Sequence, residues 1–215
     1  MPRAGVPIAI VDAGIGNLRS VQKMFEKAGT RAVVTGDPET VLAAGKLVLP
    51  GVGHFGAAMR ALEESGLGDA LRATVLGRGT PILGICLGMQ LFARSSEEGD
   101  VQGFGWVPST VRRFQFPADL ALREKLKIPN IGWRAVRPTR ESPLFSGPGE
   151  HRFYFVHSYH LVADHDATII ATGHYGQDFT AVIGYNNIWG VQFHPEKSHH
   201  FGLELLRRFA ALPPA

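Results

Sequence analysis

Residues 81–90 read PILGICLGMQ and combine a buried strand with the start of a helix. The first part, PILGIC, is a short and continuously apolar run, which is typical of a strand covered on both faces. Cys86 closes the run between Gly84 and Gly88, so the chain can turn there too tightly for larger side chains. The pattern G-x-nucleophile-x-G marks the sharp strand-to-helix turn of α/β hydrolases, here with cysteine in place of serine. The stretch predicts a parallel sheet with a reactive cysteine at the carboxyl end of one of its strands.

Strand-like and helix-like segments alternate on both sides of this stretch, which favours a parallel sheet with helices on its faces. In the first half we predict strands over residues 7–12, 31–35, 46–50 and 81–86, and helices over 17–28, 55–64, 68–76 and 88–95. After Gly99 we predict strands over 107–116, 131–137, 152–157, 167–173, 179–186 and 188–193, helical propensity over 118–127, and a last helix over 199–212. The expected fold is one α/β domain over residues 1–215, with a mostly parallel central sheet extended by antiparallel strands.

Composition excludes several classes of protein. Of 215 residues, 45% are hydrophobic and 19% charged, as in globular domains. The net charge is +3 and no run of like charge exceeds three residues, which argues against a nucleic-acid surface. The apolar runs are too short for a secretory signal or a membrane span. A single cysteine excludes an intrachain disulfide and a Cys-rich zinc site, and an unpaired thiol indicates the cytoplasm.

Cys86 is expected to be ionisable and exposed to a reacting group. A sulfur at a helix N-terminus meets unpaired backbone N–H groups and the positive end of the helix dipole, which favours the thiolate. The N–H of Leu87, directly after the cysteine, is placed to serve one side of an oxyanion hole. The alternative is a buried structural cysteine, which is the more common fate of a single cysteine.

A base and a carboxylate follow a strand near the end of the chain, in WGVQFHPE over residues 189–196. In an extended chain residues i and i+2 point the same way, so His194 and Glu196 are expected on one side. Pro195 restricts the backbone between them. A carboxylate beside an imidazole selects its tautomer and stabilises the imidazolium. On this triplet alone, a surface strand end with a solvated His and Glu is the favoured interpretation, but the first half of the chain supplies a nucleophile that lacks a base.

A third string, LPGVGHFG over residues 49–56, leads from a strand through a glycine-rich turn into a helix. Such loops present backbone N–H groups to an anion. The lysine and Ser/Thr of a nucleotide-binding P-loop are missing, so Val52 or Gly53 suits an oxyanion hole better. The partial G-x-G string at residues 12–17 has Arg19 at the third glycine position, so we predict no dinucleotide cofactor.

The strings PGVGHF, GICLGMQ and FHPE, in this order, resemble the class I glutamine amidotransferases. The flanking strings IVDAGIGNLRSV, SSEEG, IPNIGWR, FYFVHSYH and WGVQFHPEKS are similar to one branch of that family, the glutaminase subunits of imidazole glycerol phosphate synthases. The resemblance runs from residue 10 to residue 198. It implies an α/β fold with the elbow at the carboxyl end of a parallel strand, and hydrolysis of glutamine to glutamate and ammonia.

Carried over position by position, the resemblance implies three groups of site residues. Cys86 is the implied nucleophile, His194 the general base and acid, and Glu196 the orienting carboxylate. The implied oxyanion positions are Val52, Gly53 and Leu87, and the implied glutamine-binding positions are Gln90, Glu98, Ser158 and Tyr159. The resemblance implies neither a metal nor an organic cofactor.

The resemblance also implies a partner, a (β/α)₈-barrel synthase subunit in a heterodimer. Ammonia would pass to that barrel, which would make imidazole glycerol phosphate and an aminoimidazole carboxamide ribotide for histidine biosynthesis. The chain departs from the branch at Ala13, where tyrosine is frequent, and at Arg134, where asparagine is common. Three alternatives stay open: the glutaminase of an anthranilate, guanylate or pyridoxal phosphate synthase, a catalytically silent binding subunit of the same fold, and a cysteine peptidase.

Overall fold

The computed structural model describes residues 8–145 and 151–213; residue 7, predicted as the start of the first strand, lies outside them. The strands are β1 (Ile8–Val11), β2 (Ala32–Thr35), β3 (Lys46–Gly51), β4 (Ile82–Cys86), β5 (Ser95–Ser96), β6 (Val101–Gln102), β7 (Ser109–Arg113), β8 (Asn130–Pro138), β9 (His151–His157), β10 (Tyr159–Ala163), β11 (Ile169–His174), β12 (Asp178–Tyr185) and β13 (Ile188–Val191). The helices are α1 (Leu18–Lys27), α2 (Pro38–Ala43), α3 (Phe55–Glu64), α4 (Leu67–Arg72), α5 (Leu87–Gln90), α6 (Ala118–Arg123) and α7 (His199–Ala211).

Within the described residues, nine strands form the central sheet in the order β2-β1-β3-β4-β13-β12-β11-β8-β9. The strands from β2 to β13 in this order pair in parallel. The pairs from β13 to β9 are antiparallel. The prediction of a parallel sheet extended by antiparallel strands is therefore confirmed. Because β4 and β13 are parallel neighbours, the Cys86 elbow and the chain after β13 lie side by side at the carboxyl ends of these two strands.

A smaller sheet, in the order β10-β7-β5-β6, packs beside the central one. Apolar side chains fill the two faces of the central sheet in two separate clusters. One cluster contains Phe25, Phe155 and Phe209, and the other contains Phe55, Leu62 and Phe92. None of the helices in residues 8–145 and 151–213 has the length and apolar character needed to cross a membrane.

The structure corrects several predicted boundaries. The helix predicted over 88–95 ends at Gln90, because the carbonyls of Leu91 and Ala93 accept hydrogen bonds from Phe104 and Gly105 of a distant loop. Helix α2 was not predicted, although Asp37 caps it by accepting hydrogen bonds from two backbone N–H groups. Strand β10 was also missed. Local pattern does not carry these features, since loop contacts and short elements decide them.

The turn at Cys86 depends on a close approach between backbones. A Cβ atom at Gly88 would lie 1.8 Å from the carbonyl oxygen of Leu49 in β3. A Cβ atom at Gly84 would lie 2.6 Å from the backbone nitrogen of Met89. Neither distance is compatible with a side chain, so the two glycines allow α5 to pack directly against the strands that carry it.

We expect Gly88→Ala to lower the free energy of unfolding by about 3 kcal/mol or more, because the methyl group overlaps a backbone carbonyl that cannot move freely. The matched control is Gly77→Ala, where a Cβ atom would meet nothing within 4 Å. Gly77 is the exposed last residue of a π-helical turn over Ala73–Gly77, so alanine there should leave the stability unchanged or raise it by at most about 1 kcal/mol. Urea unfolding measures both, and a Gly88→Ala protein as stable as the control would contradict this account of the turn.

Candidate active site

The site is built around the backbone of Cys86, which links β4 directly to α5. Its φ of 55° and ψ of −110° lie in a region that residues other than glycine rarely adopt. Such a conformation costs about 1–3 kcal/mol and persists only where the surrounding structure imposes it. The cysteine is 7% exposed, so its sulfur is sheltered but not sealed off. The structure therefore has the strained elbow that the sequence predicts.

His194 and Glu196 follow β13, next to the elbow. His194 Nδ1 lies 2.9 Å from Glu196 Oε1, and both side chains are 2% exposed. The predicted side-by-side arrangement is present, but the backbone reaches it differently from the prediction. His194 is extended, whereas Pro195 begins a 3₁₀ turn that carries Glu196 round to the imidazole. The hydroxyl of Ser198 holds this turn by donating to the His194 carbonyl at 2.6 Å.

The electrostatics of His194 favour the imidazolium. Burial alone lowers its pKa, but the neighbouring Cys86 sulfur and Glu196 carboxylate outweigh burial and raise the pKa to about 9. Among the described residues, His194 Nε2 has no hydrogen-bond partner that meets normal geometry. The contact of Nδ1 with Glu196 thus fixes the ring and stabilises its charged form, and Nε2 is left available to a reacting group.

The sequence-predicted site residues line one cleft of about 300 Å³. Its walls include the following of them: Val52, Gly53, Cys86, Leu87, Gln90, Glu98, Ser158, Tyr159 and His194. Glu196 is behind His194, away from the wall, as an orienting group should be. Four segments contribute to the cleft: the loop after β3, the elbow, the segment between β9 and β10, and the chain after β13. The fold therefore brings residues as distant in sequence as Val52 and His194 into one cleft.

One predicted oxyanion donor is engaged elsewhere. The N–H of Val52 donates to the Ile15 carbonyl at 2.6 Å, so a substrate oxygen cannot use it in this conformation. Val52 is 44% exposed, and the following Gly53 has a φ of +107°. Recruiting Val52 as a donor would require its peptide plane to turn away from Ile15. Val52 therefore lines the cleft without offering its N–H to it in this conformation, and its oxyanion role stays a prediction.

Two predicted glutamine-binding residues are tied into the framework. The amide nitrogen of Gln90 donates to the Tyr159 carbonyl at 2.9 Å and to Gln192 Oε1 at 3.0 Å. Glu98 accepts the N–H of Phe55 at 2.8 Å, where a carboxylate complements the N-terminus of α3. Both residues stay in the wall of the cleft with fixed orientations.

The structure adds polar residues that sequence reasoning missed. Gln192 is fully buried, and its amide nitrogen lies 3.7 Å from the Cys86 sulfur. His157 Nδ1 lies 2.8 Å from the Tyr159 carbonyl, and its Nε2 lies 3.1 Å from Asn130 Nδ2. A signal for Gln192 was present in the sequence, because it lies two residues before His194 and between two apolar residues. A glutamine in an apolar stretch indicates a buried polar partner.

In the part of the chain that the structure describes, no group of three His, Cys, Asp or Glu side chains could hold a metal ion. The chemistry available is that of a sulfur nucleophile, an imidazole with a free ring nitrogen, and backbone donors at the elbow.

We expect the His194 imidazole to stay protonated up to about pH 9, as followed by NMR of ring-labelled histidine and assigned with a His194→Asn protein. Glu196→Gln and Cys86→Ala should each lower its pKa, because each removes an interaction that favours the imidazolium. His157 supplies an internal contrast, because burial lowers its pKa to about 3. A His194 pKa near 6.5 in the unsubstituted protein, or one that neither variant changes, would contradict the charged pair.

Comparison with known proteins agrees with this geometry. The family profile described as "Glutamine amidotransferase class-I" matches residues 9–211. "Imidazole glycerol phosphate synthase subunit HisH 2" from Methanococcus maripaludis is 44% identical over 94% of this chain and 98% of its own length. The HisH subunit from Sulfurimonas denitrificans is 47% identical over 94% of this chain and 96% of its own length.

Solved structures agree at the level of the fold. A glutamine amidotransferase crystal structure superposes with a TM-score of 0.72 at 18% identity, over 94% of this chain and 96% of that one. A structure from Thermoplasma acidophilum, described as a GMP synthase subunit, gives 0.70 at 21% identity over 96% and 93%. The elbow, the sheet order and the sequence relatives point the same way: the chain belongs to the class I glutamine amidotransferases, in the family of the imidazole glycerol phosphate synthase HisH subunits.

Proposed function

We propose that this chain, as a single domain, is the glutaminase subunit of an imidazole glycerol phosphate synthase and hydrolyses L-glutamine to glutamate and ammonia. One observation carries the chemistry: a strained cysteine shares a cleft with a buried imidazole that a carboxylate holds at 2.9 Å. The full-length similarity to HisH subunits supports the biosynthetic assignment over the other synthases. The proposed location is the cytoplasm, which the single unpaired thiol supports.

In the proposed reaction, the Cys86 thiolate attacks the side-chain amide carbon of glutamine. The imidazolium of His194 donates its Nε2 proton to the departing nitrogen, so ammonia leaves and a glutamyl thioester remains. Water then attacks the thioester while the now neutral His194 accepts its proton. Glutamate leaves, the thiolate and imidazolium are restored, and Glu196 holds the ring in one orientation throughout.

The oxyanion of each tetrahedral intermediate needs backbone donors. Leu87 begins α5 and lines the cleft beside the sulfur, which supports its N–H as the first donor. Val52 and Gly53 are proposed for the second donor. While the N–H of Val52 donates to Ile15, the site lacks this second donor. We therefore propose that this conformation hydrolyses glutamine slowly, since the loss of one oxyanion donor typically lowers the rate about 10²–10³-fold.

The remaining walls suit an amino acid. Glu98 offers a carboxylate to the α-ammonium group, and the segment of Ser158 and Tyr159 offers backbone and hydroxyl groups to the α-carboxylate. Gln90 lies deeper, where its fixed amide shapes the wall near the substrate side chain. A cleft of about 300 Å³ is large enough to hold one glutamine.

The proposed partner is a (β/α)₈-barrel synthase subunit that receives the ammonia and binds a ribotide. The relatives' description as subunits supports a partner, and neither nucleic acid nor membrane is proposed to take part. The loop that carries Ile15 ends beside the oxyanion loop, and Ala13 lies on it. A partner that binds this loop could break the hydrogen bond that directs the Val52 N–H away from the cleft.

We expect the isolated chain to release glutamate slowly, and the barrel subunit with its ribotide ligand to accelerate release about a hundred- to thousandfold. A bias of about 3–4 kcal/mol towards the conformation with Val52 freed gives this factor. Glutamate release is measured for the chain alone, with partner, and with partner and ribotide. Full rate in the isolated chain would contradict the gate.

The same glutamate-release assay tests the proposed roles of Cys86 and His194. Cys86→Ala should abolish release in all three conditions while the chain still binds its partner. His194→Ala should be nearly as severe, because members of a triad act as a unit. Release by Cys86→Ala within tenfold of the unsubstituted complex would overturn the proposed nucleophile.

A further inference from the structure

Gln192 contacts the reacting sulfur, and the proposed reaction gives it no task. It follows β13, is fully buried, and places its amide nitrogen 3.7 Å from Cys86 Sγ. Burying a primary amide is costly unless its donors and acceptor find partners. Its sequence neighbours Val191 and Phe193 are buried and apolar, so an apolar side chain would satisfy the core more simply.

The network fixes which end of the Gln192 amide meets the sulfur. The Tyr159 carbonyl can only accept a hydrogen bond, so the Gln90 group 2.9 Å from it must be the NH₂. The same NH₂ lies 3.0 Å from Gln192, which must therefore present its oxygen there. The nitrogen of Gln192 is left to point towards Cys86, and it can only donate.

The Tyr159 carbonyl is itself anchored from the other side. His157 is neutral, because burial lowers its pKa to about 3, so it carries one ring proton. That proton is on Nδ1, 2.8 Å from the Tyr159 carbonyl, and Nε2 accepts from Asn130 at 3.1 Å. Arg134 then donates to Asn130 Oδ1 at 3.2 Å. The orientation of Gln192 therefore rests on a series of directed hydrogen bonds that reaches Arg134.

We propose that Gln192 is a positioning residue for the nucleophile, which holds the Cys86 sulfur and stabilises its thiolate by donating an amide N–H. A thiolate accepts a hydrogen bond more strongly than a thiol, so the donor favours the reactive form. The imidazolium of His194 acts on the same sulfur, but it must give up its proton during the reaction. The amide donor keeps its proton throughout. This inference rests on the proposed function only for the role of the sulfur.

The test is the pH dependence of Cys86 alkylation by iodoacetamide, followed by intact mass. Cys86 is the single cysteine of the chain, so thiol alkylation reports on it alone. Two neutral variants remove the donor in different ways: Gln192→Met replaces the amide, and Gln192→Asn withdraws it from the sulfur. In both, we expect the pH of half-maximal rate to rise by about one unit, so alkylation on the acidic side of the profile slows about tenfold.

The matched control is Gln177→Met, which removes a partly buried glutamine that contacts His160 at 3.3 Å and not the sulfur. Its alkylation profile should be unchanged. Thermal unfolding of all three variants separates loss of stability from a change at the sulfur, because a merely structural role would lower the melting temperature and leave the profile in place. An unchanged profile in a folded Gln192 variant would overturn the proposal.

The outcome is independent of the glutaminase assignment, since alkylation needs neither glutamine nor partner. If the complex hydrolyses glutamine and the profiles do not move, the role of Gln192 is wrong and the proposed function stands. If the profiles move but no glutamate appears, the proposed function is wrong. In the active complex, the Gln192 variants should lower kcat about tenfold with little change in KM.

Discussion

The arrangement of the site depends on one steric constraint, the direct packing of α5 against β3 at the Cys86 turn. Gly88 leaves no room for a side chain beside the Leu49 carbonyl, and Cys86 accepts a positive φ so that the chain can turn there. The strain is supported by β4, which is buried throughout, and by the neighbouring β3, which is buried from Leu47 to Gly51. As a result the sulfur stands at the carboxyl edge of the parallel sheet, where open α/β sheets place their ligands.

Two kinds of polar group surround the sulfur, one charged and one neutral. The charged group is a buried ion pair, His194 with Glu196, which can move a proton. The neutral group is the Gln192 amide, which the NH₂ of Gln90 orients by donating to its oxygen, while the Tyr159 carbonyl orients Gln90. In the proposed reaction the imidazolium exchanges a proton in each half-reaction, whereas a neutral donor polarises the thiolate and keeps its own proton. This difference would let one sulfur be held steadily while it serves both as nucleophile and as leaving group.

Sequence reasoning reached the parts of this account that depend on local pattern. The apolar run ending in Cys86, the glycines around it and the spacing of His194 and Glu196 predicted the elbow and the imidazole–carboxylate pair beside it. It did not reach features set by distant contacts. The early end of α5 follows from loop hydrogen bonds to Leu91 and Ala93, and the engaged state of Val52 depends on Ile15. Gln192 was overlooked, since its meaning depends on which residues surround it in space.

The central claim is that Cys86 is the nucleophile for a glutamine side chain, and covalent trapping tests it most directly. A glutamine analogue with an electrophilic δ-carbon is incubated with the assembled complex, and the digested chain is analysed by mass spectrometry. The account predicts one added group, on Cys86, with labelling slowed by excess glutamine and absent from a Cys86→Ser chain. Labelling at another residue, or none in a complex that releases glutamate, would contradict it.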